Sequence, residues 1–231
     1  MATELVVPWF QASRARLRAL DWVYVKLAAL DIKPIITSYS GPEWIKARAI
    51  MPAVRGLVAD IIVLHDADCW TDGLIEAIQA VQDGAAWAIP HWEVYRLSQT
   101  GTEALLRGED WTEQDLERSK YVGMPGGGII VTTHDTLLDI PLDPRFVGWG
   151  HEDESHAMAL WCLLGPPWRG REPLVHLWHE PQWRVSRRQG SDANWRLRNR
   201  YANARHDVDR MGKIVSEARH DLGLDIPLEQ T

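Results

Sequence analysis

Two cysteines in 231 residues, Cys69 and Cys162, are too few for a disulfide framework, so a reducing cytoplasm is the expected home. No run of about 18 apolar residues occurs, which argues against a helical membrane span and a membrane partner. The N-terminus lacks the look of a signal peptide: Met1-Ala2-Thr3-Glu4 leads straight into a strand-like segment. An overall basic excess is missing too, and the net charge of −7 argues against indiscriminate binding of polyanions. Internal repeats and low-complexity linkers are absent, and the length suits one domain. Phenylalanine is scarce at two residues, whereas tryptophan reaches thirteen. Indole faces stack on the C–H faces of sugars, but they serve an ordinary core equally well, so composition leaves both uses open.

What is present alternates. Glu4–Phe10 reads as a strand ended by Pro8. Ser13 caps a helix with apolar residues at Leu17, Leu20, Val23, Leu27 and Leu30. Lys33–Tyr39 is a second strand, Glu43–Leu57 a helix, Ile61–Leu64 a strand, Asp72–Gln82 a helix and Ala85–Pro90 a strand. Such alternation predicts an α/β fold with a mostly parallel central sheet flanked by helices. Leu97–Lys120 is polar and reads as a short helix and loop, and Ile129–Thr132 is a buried strand entered through Gly126-Gly127-Gly128. Glu154–Leu164 and Ala204–Leu222 are expected as helices. The expected organisation is one domain over 1–205, a donor and metal half over about 1–95 and an acceptor and catalytic half over about 96–205. Residues 206–231 are expected to form a C-terminal helix and tail.

Two acidic clusters about 85 residues apart carry the chemistry. The first, His65-Asp66-Ala67-Asp68, closes the Ile61–Leu64 strand. Ligands of parallel sheets bind at the carboxyl ends of strands, which is where Asp66 and Asp68 fall. Hard carboxylate oxygens there suit Mn²⁺ or Mg²⁺ against a diphosphate, with Asp68 the direct ligand. His176 and His179, three apart, reach one cation if the segment turns, and imidazole favours Mn²⁺. Read alone, Asp66 would serve as a helix cap and the histidines as half-buried strand residues.

The second cluster, Gly148-Trp149-Gly150-His151-Glu152-Asp153-Glu154, offers a carboxylate as general base. Acids enriched at a helix N-terminus would explain Glu152 and Asp153 without chemistry. They would not explain an indole between two glycines, where the sequence predicts it exposed. Seven arginines and one acid, Asp192, lie between Trp183 and Arg205. Trp183, Arg187, Arg188 and Trp195 there make a local basic, aromatic surface.

In order and spacing these blocks resemble the GT-A-fold glycosyltransferases, nearest to the β4-galactosyltransferase type and chondroitin-polymerase-like enzymes. Pro8 with Arg14 resembles the family's nucleotide-contacting start. Trp44-Ile45-Lys46-Ala47-Arg48, leading to Asp66-Ala67-Asp68, resembles its Phe-Asn-Arg-Ala-Lys block and Asp-Val-Asp. Tyr121-Val122 through Gly126-Gly127 and the Gly148–Glu154 cluster resemble Tyr-Val-x-x-Phe-Gly-Gly and Trp-Gly-Gly-Glu-Asp-Asp. The resemblance implies Trp44 and Lys46 on uracil and ribose, Asp66, Ala67 and Gly127 along the donor, Glu152 on the donor sugar and Trp149 over it. It also implies Asp153 as the base and Asp68 with His179, joined by His176, on the metal. The chain departs from the pattern at Ser38-Tyr39-Ser40 and at Met124, where the galactose enzymes carry tyrosine.

The expectation is therefore a metal-dependent, inverting transferase moving a sugar from a UDP-sugar to an acceptor hydroxyl, compact and cytoplasmic as in bacteria or their viruses. The arginine segment points to 5-hydroxymethylpyrimidine in viral DNA as one acceptor, with a flipped base. Protein (a capsid subunit), glycan and lipid remain open as acceptors. A sugar nucleotidyltransferase is the alternative enzyme, although 8–14 lacks the glycine-rich loop a triphosphate needs.

Overall fold

The computed structural model describes residues 1–10, 13–122, 126–180 and 193–225. A six-stranded sheet runs β2 (Ile35–Thr37), β1 (Thr3–Pro8), β3 (Ile61–His65), β8 (Ile129–Thr133), β5 (Trp87–Ile89), β9 (Trp168–Arg169). The β1–β2, β1–β3 and β5–β9 pairings are parallel. Only β8 runs antiparallel to its neighbours, β3 and β5, so the sheet is mixed.

Alternation along these strands builds two cores. Val6, Ile62, Leu64, Trp87, Ile89 and Ile130 point to one face, covered by α2 (Lys46–Gly56), α5 (His134–Asp139), α6 (Glu152–Leu164), α7 (Ala193–Ala204) and α8 (Val208–Asp221). Leu5, Val7, Ile61, Val63, Ala88, Ile129 and Val131 point to the other, which packs on α1 (Arg14–Ala29) and α3 (Leu74–Gln82). Burial on both faces explains why these strands read as continuous apolar runs rather than as alternating ones. The helix expected over Ala204–Leu222 forms with a later start: α7 stops at Ala204, and Asp207 caps α8 by accepting the Arg210 N–H (2.9 Å). Among the described residues no helix is long and apolar enough to cross a membrane.

A second sheet, β4 (Cys69–Trp70), β10 (Leu174–His176), β6 (Glu93–Arg96), β7 (Tyr121–Val122), stands at the carboxyl end of β3. Between β6 and β7 the polar stretch folds as α4 (Gln99–Leu106) and a 3₁₀ turn over Glu113–Asp115. β10 pairs antiparallel with β4, setting His176 against Cys69, and the Leu177 N–H donates to the Asp68 carbonyl (2.8 Å). Two segments more than a hundred residues apart in sequence are thereby stapled at one point.

Candidate active site

Asp68, His176 and His179 converge: one ligand atom from each lies within 4.8 Å of the others. His179 Nε2 is 3.3 Å from Asp68 Oδ2, and His176 Nε2 is 3.8 Å from Asp68 Oδ1. The His179 Nδ1–H is donated to the Glu180 carbonyl (2.8 Å), and Nε2 is the ring nitrogen that faces Asp68. Burial drives the His176 pKa down to about 4, so that imidazole is neutral and free to ligate at physiological pH. Burial works to raise the Asp68 pKa, but the charges of His176, Arg16 and His179 outweigh it and hold the carboxyl low. One carboxylate and two imidazoles form a donor set that fits a divalent cation such as Mn²⁺.

Asp66 is clamped by the glycine loop that leads into β8. Its N–H donates to the Gly128 carbonyl (2.8 Å), and its Oδ2 accepts the Gly128 N–H (3.2 Å). Gly128 has φ +87°, and a Cβ there would stand 2.6 Å from a Leu174 methyl. At Gly126, φ +115°, a Cβ would fall 2.3 Å from the Asp153 carbonyl oxygen. Only glycine lets this loop abut the start of α6.

That start carries the second cluster. His151 takes a left-handed conformation (φ 77°) before the helix, and Glu152 folds back to accept the Gly150 N–H (2.8 Å). Asp153 turns toward the sheet, where Lys46 donates to both Asp153 Oδ1 (2.8 Å) and Asp66 Oδ1 (2.7 Å). Burial and the charges of Glu152 and Asp66 push the Asp153 pKa up to about 7, against the pull of Lys46. Burial would lower the Lys46 pKa, yet Asp153, Asp66 and Glu152 together raise it well above its usual value. Pro8, Lys46, Asp66, Gly126, Gly128 and Asp153 line a narrow crevice with His65 and His156. A raised carboxyl pKa near neutrality is the tuning a general base needs.

Other expected residues sit at varied distances from this centre. Trp149 is not the exposed ring read from the sequence. It is partly buried and stacks on Trp44 (centroids 6.2 Å, planes 22° apart), with Phe10 edge-on at 5.1 Å. Asn194 fixes the turn that carries it, donating to the carbonyls of Val147 (2.8 Å) and Gly150 (3.3 Å) and accepting the Val147 N–H (3.2 Å). Ala67 is buried, and Gly127 would meet nothing within 4 Å if it carried a Cβ, so it borders open space. Arg14 is exposed on α1; Arg16, which the sequence reading passed over, is the arginine that reaches inward, with Nη2 3.5 Å from Asp68 Oδ2. Trp195 packs on the His151 ring (5.4 Å) beneath the Arg198 guanidinium. Trp183, Arg187 and Arg188 lie outside the described residues.

This architecture is the GT-A fold. The structure of GalNAc-T7 with UDP, GalNAc and Mn²⁺ matches with a TM-score of 0.53 at 11% identity, covering 94% of this chain and 54% of that one. The chain thus spans about half the length of that protein. A Drosophila β-1,4-galactosyltransferase 7 variant in complex with manganese, UDP-Gal and xylobiose gives 0.49 at 11% identity, covering 84% and 79%. Glucosyl-3-phosphoglycerate synthase from Mycobacterium tuberculosis with Mn²⁺, UDP and glucosyl-3-phosphoglycerate gives 0.47 at 14%, covering 90% and 80%. At such identities the likeness concerns the fold. No protein-family model matches the sequence, and no curated protein matches it.

Proposed function

We propose that the protein is a metal-dependent glycosyltransferase that moves a sugar from a UDP-sugar to an acceptor hydroxyl with inversion. The observation that carries this reading is the convergence of Asp68, His176 and His179 at the carboxyl end of β3, beside a crevice holding Asp153. Asp68, His179 and His176 would hold Mn²⁺ or Mg²⁺. When bound, such a cation neutralises the charge that builds on a departing diphosphate. The Trp44–Trp149 pair offers an apolar wall for a nucleoside or sugar face, and Arg16 offers a cation beside Asp68. Asp153 accepts the proton of the attacking hydroxyl. Lys46 holds Asp153 and Asp66 together and keeps two neighbouring carboxylates from repelling each other apart. Glu152, hydrogen-bonded to the backbone of the preceding turn, fixes the start of α6 next to the base.

The arginine segment makes 5-hydroxymethylpyrimidine in DNA the acceptor to screen first, beside protein and glycan acceptors. Within its described part, however, Arg198 pairs with Glu154 and Arg200 with Glu217, which leaves fewer cations for a phosphodiester than the sequence count implies. The test is release of UDP from a panel of UDP-sugars with Mn²⁺ and hydroxymethylated DNA, for the wild type and Asp153→Asn. Asn keeps the shape but cannot take a proton, so donor binding should persist while transfer falls by roughly 10²–10⁴-fold. Normal turnover by that variant removes Asp153 as the base.

A further inference from the structure

Several arginines of this chain have an acid beside them: Arg18 has Glu103, Arg107 has Glu109, Arg145 has Asp143 and Arg219 has Asp139. Arg96 and Arg118 do not. Arg96 Nε donates to the Tyr121 hydroxyl oxygen (2.9 Å), and Arg118 Nη2 donates to the same oxygen (3.2 Å) while its guanidinium lies 4.6 Å from the Tyr121 ring centre. Among the described residues neither guanidinium has a carboxylate partner. Two cations therefore meet at one phenol oxygen, an arrangement that Coulomb repulsion disfavours and that an anion between them would relieve.

Strand register says where this pair faces. Arg96 lies opposite His176 in the β6–β10 ladder, and Tyr121 lies opposite Val94 in the β6–β7 ladder. Register partners share a sheet face, as do residues two apart, so Arg96, Tyr121 and His176 share one. Asp68 and Arg16 stand on the β4 side of His176, and Arg96 and Tyr121 on the other. A donor diphosphate held at Asp68 would thus leave this pair for a second substrate.

We propose that Arg96 and Arg118, joined through Tyr121, form a subsite for a phosphate group carried by the acceptor. Planar guanidinium forks match phosphate oxygens in bidentate fashion, and two of them suit one doubly charged group. The assignment of this phosphate to the acceptor rests on the transferase reading; the anion subsite itself does not. A phosphomonoester and the phosphodiester of a nucleic acid share this chemistry, and the test separates them.

Binding of phenyl phosphate and of a short thymidine oligonucleotide would be followed by calorimetry with saturating UDP and Mn²⁺. The variants are Arg96→Met/Arg118→Met and Arg96→Lys, each checked by melting temperature and UDP affinity. Saturable binding of either probe that weakens about tenfold or more in the double variant, with UDP affinity unchanged, supports the subsite. Loss confined to phenyl phosphate identifies a monoester acceptor, and loss confined to the oligonucleotide a phosphodiester. Lysine keeps the charge without the fork and should restore part of the lost affinity. Probe binding that ignores both variants, or that UDP displaces, overturns the proposal. If UDP and Mn²⁺ fail to bind at all, the transferase reading falls, and the same probes measured without UDP still decide the subsite.

Discussion

Lys46 stands 2.8 Å from Asp153, and the same ammonium reaches Asp66 at 2.7 Å, so one cation ties the end of β3 to the start of α6. The resemblance had assigned this lysine to the nucleotide. Its position gives it a further consequence for Asp153, because it opposes the burial that raises the Asp153 pKa to about 7.

The pH profile should expose this. Asp153 must be ionised to accept a proton, so activity should fall as pH drops through about 7. In Lys46→Met the opposing cation is gone and the neutral acid is favoured further. The rising limb of UDP-release rate against pH should therefore move to higher pH in that variant, and an unmoved limb would show that another group sets it.

Metal binding should depend on each of the three converging side chains. Asp68→Ala and His179→Ala are expected to weaken Mn²⁺ affinity by at least about 100-fold, since second-sphere losses alone cost 10–100-fold. Titration calorimetry with Mn²⁺ reads this directly, and wild-type affinity in either variant would mean that the cation lies elsewhere. Arg14→Ala, on the exposed side of α1, should leave Mn²⁺ affinity unchanged.

Asn194 offers a test of the turn. Alanine there removes three hydrogen bonds to the 147–150 backbone and leaves half-buried backbone groups short of a partner. Stability should fall by about 1–3 kcal/mol, seen as a lower melting temperature. Because the turn carries Trp149, the donor KM should rise more than kcat falls; an unchanged KM would detach the turn from donor binding.

Much of the fold was legible because β1, β3 and β8 are buried on both faces and announce themselves as apolar runs. The antiparallel course of β8 was not, since strand direction depends on how the chain returns, and periodicity carries no such sign. Arg16 was readable in principle: it falls on the stripe Arg16, Ala19, Val23, Leu27 that α1 buries, where a charge needs a reason. Motif position alone points to Arg14 instead. Trp149 was judged by its glycine neighbours, yet the packing partners that cover it, Phe10 and Trp44, lie more than a hundred residues away. Asn194 gave no signal, because its role exists only once α7 lies beside the turn.

The two-residue ladder between β4 and β10 means that the Asp68–His176–His179 cluster is a late event in the life of the chain. A ribosome that has released Asp68 has made only a fragment of it, and the imidazoles that complete the pocket arrive more than a hundred peptide bonds afterwards. Manganese captured there would act as a clasp between distant stretches of polypeptide, so chelation should loosen the β10 region first, and hydrogen exchange at Leu177 would be its earliest reporter.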